Sequence, residues 1–322
     1  MIMSNKILIT GSSGYIGSHF VKYFKQKGMQ IYGIDLVFPP KKLQKYFSNH
    51  IVEDIANESA VSHFLEKNKP DLIIHCAAKC LVAESVEKPD LYREFNVAKP
   101  SVFLKLCLNQ GITRFLFSST AATYGNPIQP LISESHPQIP INPYGETKLE
   151  FEKILLSNPK LCVGILRYFN ASGADPDVEI GEQHEPETHL IPNILKAISE
   201  NTSVHVFGNN YDTKDGTCVR DYIHVMDLAQ AHWLLCMKML HENQGGIFNL
   251  GSANGYSILD VIHTAEKVTE KKVGISNQPR RAGDPATLVA DSSHAKKDLE
   301  WNPQYSLEKI IDTAWKWHLS EK

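Results

Sequence analysis

The chain has 322 residues, 42% hydrophobic and 21% charged, a globular composition long enough for two domains. A net charge of -3 and a pI of about 6.5 leave no basic surplus for a nucleic-acid partner, and no basic helix suggests a membrane surface. No apolar run approaches the ~18 residues of a membrane span, and the start lacks a charged segment followed by an apolar one, so a cytoplasmic protein is expected.

In chain order, the predicted strands are Lys6–Thr10, Gln30–Asp35, Asp71–Cys76, Arg114–Ser118 and Cys162–Tyr168. Helical patterns such as Gly17–Lys27 and Lys148–Leu156 lie between them. This alternation predicts an α/β fold with a doubly wound parallel sheet of Rossmann type. Such sheets bind ligands at the carboxyl ends of their strands. After Ala171 the pattern changes. Residues 171–188 read as a loop, followed by a helix near Ile191–Ser199, a strand near Val204–Phe207 and a helix near Val225–Leu240. The expected domains are 1–170 for a dinucleotide and 171–322, a smaller α/β domain, for substrate. Segments near 220–250 are expected to pack back on the first. The six cysteines are scattered, and no Cys/His cluster has metal-ligand spacing, so neither disulfides nor a metal is expected.

Gly11, Gly14 and Gly17 form G-x-x-G-x-x-G directly after the first strand. Glycines allow a tight turn and close backbone approach to a pyrophosphate. The helix that follows offers N–H groups and a partial positive charge. A plain turn is the bland alternative. Asp35 ends the second strand, where a carboxylate can hold the adenosine ribose hydroxyls and repel a 2′-phosphate. The pair predicts NAD rather than NADP; alone, Asp35 would read as a strand-end turn residue.

Tyr144 and Lys148 are four residues apart on one helical face, after Asn142-Pro143. Bringing a phenol of pKa ~10 to neutrality takes roughly 4 kcal/mol, which a nearby ammonium and a cationic nicotinamide can supply. Such a phenolate can take a hydroxyl proton while a hydride leaves the same carbon. Y-x-x-x-K also occurs by chance as a surface pair. Here Ser118-Ser119-Thr120 closes the preceding strand and can share the substrate proton.

These motifs, with Leu166–Ala174 (LRYFNASGA), Glu187–Pro192 (ETHLIP), Phe207–His232 and Arg280–Asp284 (RRAGD), resemble the extended short-chain dehydrogenase/reductase superfamily. Within it they resemble the UDP-glucose 4-epimerase (UDP-galactose 4-epimerase) family, over nearly the whole chain. The resemblance implies an isomerase, commonly a homodimer, with tightly held NAD, serving galactose metabolism in breakdown or in polysaccharide synthesis. Tyr144 would take the proton of the sugar's 4-hydroxyl and hydride would pass to NAD. The 4-keto sugar would turn over and receive hydride on its other face. Thr120 matches the partner of the base, and Lys148 the residue that holds the nicotinamide ribose.

For the cofactor, the resemblance further implies Tyr15 and Ile16 at the pyrophosphate and Asp54 and Ile55 at adenine. Ala77, Asn96, Ser118 and Tyr168 belong to the cofactor wall. For the UDP-sugar it implies Asn170, His189, Leu190 and Phe207. Arg220 and Arg281 match the diphosphate grip, and Asp284 the uridine ribose. Leu288 takes the place of a gate residue; a Tyr there tends to exclude N-acetylated sugars. Three positions depart from the better-known members: His189 stands for Asn, Cys80 for Lys, and Pro100 interrupts a predicted helix beside Asn96. Two rivals use the same scaffold. A nucleotide-sugar 4,6-dehydratase needs an Asp-Glu pair after the Thr, where this chain has Ala121-Ala122. A non-catalytic nucleotide binder would usually have lost Tyr144 or Lys148.

Overall fold

The computed structural model describes residues 5–281 and 284–321. The strands in chain order are β1 (Lys6–Thr10), β2 (Gln30–Asp35), β3 (Asn49–Val52), β4 (Leu72–His75), β5 (Arg114–Thr120), β6 (Cys162–Tyr168) and β7 (Asn170–Ser172). They continue with β8 (Ser203–Phe207), β9 (Val219–His224), β10 (Gly246–Leu250), β11 (Gly255–Ser257), β12 (Gly274–Gln278) and β13 (Thr287–Leu288). The chain divides into two compact units. One comprises Met1–Gly125, Gln138–Arg167 and Ala229–Phe248; the other comprises Asn126–Pro137, Tyr168–Leu228 and Asn249–Lys322. A single cut after residue 170 therefore does not describe the chain, because short segments cross in both directions.

The first unit is built on a seven-stranded sheet in the order β10-β6-β5-β4-β1-β2-β3. The pairs β1·β2, β1·β4, β2·β3 and β4·β5 are parallel. Within it runs the 3-2-1-4-5-6 order of a dinucleotide-binding sheet, which reverses between β1 and β4. The central strands are runs of Ile, Leu and Phe because both faces are covered: Leu8, Ile9, Ile73, Ile74 and Leu116 are wholly buried. The helix Pro143–Leu156 inserts Phe151 and Leu155 into this core. Asn142 caps its start, accepting the Gly145 N–H at 2.9 Å, and Pro143 supplies a first-turn residue that needs no donor.

The second unit has a four-stranded sheet, β11-β9-β13 with β7 beside β9, and a β12-β8 pair. Its core joins the helices Leu190–Glu200, Ile258–Thr269 and Leu307–Ser320 through residues such as Ile194, Ile198, Ile262 and Ile311. Residues 173–189 form the expected loop, apart from the short β7 before it.

Candidate active site

In the first unit, Gly11 follows β1, Asp35 ends β2, Ala77 lies just past β4 and Thr120 ends β5. All four are at carboxyl ends, on the edge where such sheets take ligands. The glycine turn is closed by sterics. A Cβ on Gly17 would lie 2.1 Å from the Gly11 carbonyl oxygen, and one on Gly11, at φ +66°, 2.7 Å from the Ala77 nitrogen. The helix Tyr15–Gln26 starts at Gly14 with no side-chain cap and no acidic residue in its first turn. Asp35 Oδ2 accepts the Ser13 N–H at 2.9 Å and Oδ1 that of Val37 at 3.2 Å, so the carboxylate is held beside the glycine turn. Ser12 adds a buried hydroxyl with no hydrogen-bond partner. A tight turn, an uncapped helix start and an oriented carboxylate fit a dinucleotide with free ribose hydroxyls.

The outer parts of this wall are equally specific. Asp54 pairs with Lys99 at 2.8 Å and accepts the Ala56 N–H at 2.9 Å. Burial works against its charge, but these bonds keep the carboxyl below its usual range. Ile55 points into the core, so only its backbone is left for an adenine edge. Asn96 is buried on a π-helical turn, Glu94–Ala98, directly before the helix that contains Pro100. A π turn shifts the hydrogen-bonding register, which is how the chain accommodates the proline. From there Asn96 accepts the Lys79 N–H at 2.8 Å and donates to the Lys79 carbonyl at 3.0 Å and to Thr147 Oγ1 at 3.2 Å. Asn96 thus clamps Lys79 in the loop that follows β4.

Tyr144 sits in the first turn of its helix, partly buried, with its ring edge-on to Tyr92 at 6.5 Å. Burial pushes the phenol above its ordinary value, a charge on nearby Cys80 would add to this, and the Thr120 hydroxyl works the other way. Lys148 is 4% exposed and donates to the Ser118 carbonyl at 2.9 Å, with its ammonium 4.7 Å from the Phe117 ring centre. Burial pulls its pKa down to about 8. The ammonium is therefore anchored to the strand end rather than to the phenol. Ser118 Oγ in turn lies 3.2 Å from Cys76 Sγ.

A buried network behind these residues was not anticipated from the sequence. Glu152 binds Arg167 through two bonds, at 2.6 and 3.0 Å, and accepts from the Ser119 hydroxyl. Arg167 also donates to the Tyr124 hydroxyl at 2.9 Å. The Ser119 bond fixes the residue beside Thr120. Glu152 lies four and eight residues beyond Lys148 and Tyr144, so helical spacing was the available signal.

Apart from Thr120, the substrate-side candidates lie in the second unit. Arg220 is on β9, 9% exposed, and pairs with Asp284. Its partner is thus not the adjacent Asp221, which instead accepts N–H groups from Ser252, Ala253 and Ala290. Burial raises that carboxyl to about 6. The exposed Arg281 stacks over Phe207 at 3.9 Å, and Leu288 lies in register with Arg220 across β13 and β9. Asn170 donates to the Asp221 carbonyl at 2.9 Å. Of the RRAGD motif, Ala282 and Gly283 lie outside the described residues. His189 immediately precedes the helix that begins at Leu190. It meets Glu182 at 2.7 Å and Glu187 at 3.2 Å, and His184 joins them. The carboxylates raise His184 to about 9; for His189 burial opposes, but they still raise it to about 10.

The parallel sheet, glycine turn and strand-end acid define a dinucleotide-binding unit of Rossmann type. The chain belongs to the NAD dependent epimerase/dehydratase family, whose model matches residues 7–251. It is 44% identical to a UDP-glucose 4-epimerase of Halalkalibacterium halodurans, covering 97% of this chain and 95% of the relative. A UDP-glucose 4-epimerase structure from Brucella ovis in complex with NAD superposes with a TM-score of 0.93, at 38% identity, over 97% of this chain and 98% of the other. One from Bifidobacterium longum in complex with NAD+ and UDP gives 0.92 at 32% identity, over 98% of both chains. Among the described residues no helix is long and apolar enough to cross a membrane.

Proposed function

We propose that this protein is an NAD-dependent isomerase that inverts the 4-hydroxyl of a UDP-hexose, interconverting UDP-galactose and UDP-glucose. The observation that carries the reading is a phenol whose ionisation the Thr120 hydroxyl favours, beside a lysine tied to the Ser118 carbonyl, with Ala121-Ala122 following Thr120. Bound NAD supplies a hydride acceptor that can return what it takes. Gly11, Gly14 and Gly17, with the backbone of Tyr15 and Ile16, would hold its pyrophosphate, and Asp35 the adenosine ribose. Tyr144 takes the proton of the 4-hydroxyl and gives it back, with Thr120 sharing the hydrogen bond. Burial makes the unassisted phenol a poor acid, so proton loss depends on the positive charges assembled when the site is loaded. Lys148 supplies one and orients the cofactor ribose. Arg220 and Arg281 hold the diphosphate, and Asp284 the uridine ribose, leaving the sugar free to turn over.

Elimination of water needs a further acid and base. Two alanine methyls after Thr120 move no protons, which argues against a 4,6-dehydratase. An assay with UDP-galactose and no added oxidant separates the readings. UDP-glucose is expected; a stable 4-keto-6-deoxy product would point to the lyase, and no turnover by folded protein to a binder.

Leu288 favours a second, broader reading, in which N-acetylated UDP-sugars are also accepted, because the side chain is smaller than a Tyr gate. The relative turnover of UDP-galactose and UDP-N-acetylgalactosamine tests this. The proposal extends to a cytoplasmic homodimer serving galactose metabolism; light scattering tests the dimer.

A further inference from the structure

The segment Glu182–His189 reads E-x-H-x-x-E-x-H, and the fold brings all four side chains together. One ligand atom from each lies within 4.8 Å of the others. Glu182 Oε1 is 2.7 Å from His189 Nδ1 and 3.3 Å from His184 Nδ1. The Glu187 carboxylate is 3.2 Å from His189 Nδ1 and 3.7 Å from His184 Nδ1. A tetrahedral ion with bonds of about 2.0–2.2 Å needs ligand atoms about 3.3–3.6 Å apart. The four nitrogen–oxygen distances bracket that value, the two to Glu187 through different oxygens of its carboxylate, so a shell with one atom from each residue needs side-chain rotation. Three of the four residues are no more than partly exposed; the Glu182 side chain is 7% exposed and that of Glu187 15%.

The donors are held from behind. Glu187 Oε1 accepts the N–H groups of Thr188 and His189, each at 2.8 Å, which keeps the carboxylate charged at the start of the helix Leu190–Glu200. Asn193 donates to the His189 carbonyl at 2.9 Å, and Trp317 Nε1 to the Glu182 carbonyl at 3.1 Å. A Cβ on Gly181 would meet the Trp317 ring at 2.2 Å, so indole and backbone are in direct contact. Supporting contacts of this kind orient metal ligands. Two imidazoles and two carboxylates form a mixed nitrogen and oxygen set, and the two negative charges match a divalent cation.

We propose that Glu182, His184, Glu187 and His189 bind one divalent transition-metal cation of zinc's kind, which ties the 182–189 loop to the helix it precedes. The site is structural: four protein ligands leave no position for a reacting water. Its consequence for turnover rests on the function proposed above. His189 and Leu190 belong to the nucleotide-sugar side, so the cation would hold that wall in place.

The test uses untagged full-length protein, stripped with a chelator and titrated with Zn2+ by calorimetry, with metal content measured after dialysis. One equivalent per chain is expected. His184→Ala and Glu182→Gln, each checked for folding by circular dichroism, should bind at least about tenfold more weakly. Co2+ in place of Zn2+ should give the intense visible bands of a tetrahedral site in the wild type and not in either variant. Sub-stoichiometric binding by the wild type, or variants that bind as tightly, would overturn the proposal. Metal stoichiometry is independent of turnover, so a failed metal site and a failed epimerase assignment give different results.

Discussion

The two groups of candidate residues are built in different ways. Around Tyr144 the groups stand on one helix and one strand: Lys148 is buried and tied to the Ser118 carbonyl, Glu152 is buried and bonded to the Ser119 hydroxyl, and the Thr120 hydroxyl favours ionisation of the phenol. Around Arg220 they stand on short strands and loops and are paired with one another, Arg220 with Asp284 and Arg281 over Phe207. Under the proposed function the first arrangement moves a proton, and the second consists of groups that would exchange partners when a diphosphate arrives. The contrast teaches that chemistry is placed on regular elements, while recognition is placed where contacts can be remade.

The largest effect expected is at the proton. Tyr144→Phe should retain NAD and lose about 10³-fold or more in kcat, the range of a lost general base. Normal turnover would break the contrast at once. The next is structural. Glu152→Gln leaves the Arg167 guanidinium buried against a neutral partner, and should cost about 3 kcal/mol in urea unfolding. A cost under about 1 kcal/mol would mean that the network does not brace the strand end.

Lys148 gives a pH test with a defined sign. Its pKa is lowered to about 8 in the folded protein, against an ordinary 10.5. The penalty for burying the ammonium is therefore full below pH about 8 and gone above about 10.5. Between these limits the stability of the wild type relative to Lys148→Met should rise with pH, by about 3 kcal/mol in total. A flat difference would show that the ammonium is well solvated. On the recognition side, Arg220→Ala should raise KM about 10- to 100-fold with kcat within a few fold, about 1.4–3 kcal/mol of uniform binding. An equal loss in kcat would place Arg220 with the chemistry and blur the comparison. The smallest effect is at the gate: Leu288→Tyr should lower turnover of N-acetylated relative to plain UDP-sugars by about tenfold. An unchanged ratio would remove Leu288 from the gate.

The same contrast explains what could be read from sequence. Strands β1, β2 and β6 match their predicted bounds, since a strand buried on both faces is a local apolar run between turn signals. Tyr144, Lys148 and the glycine turn were legible because their geometry is set by helical spacing or by one tight turn. Partners distant in sequence were not. The Arg220–Asp284 pair spans 64 residues, and the Asn126–Pro137 segment joins the second unit through Ile132, whose N–H reaches the Val289 carbonyl at 2.9 Å. Glu152 was within reach of helical spacing, but its role depends on Arg167 arriving from another strand. The Glu182–His189 cluster is hard to read for another reason: Glu and His at close spacing are common on solvated loops, and only the fold shows that these four side chains meet.

The central claim is that the hydrogen at C4 leaves and returns within one closed site. The most direct measurement uses UDP-galactose deuterated at C4, with unlabelled protein and no added cofactor, and reads the product by mass spectrometry and NMR. The account predicts UDP-glucose that keeps the deuterium at C4. Loss of the label to solvent, or turnover only with stoichiometric oxidant, would contradict it.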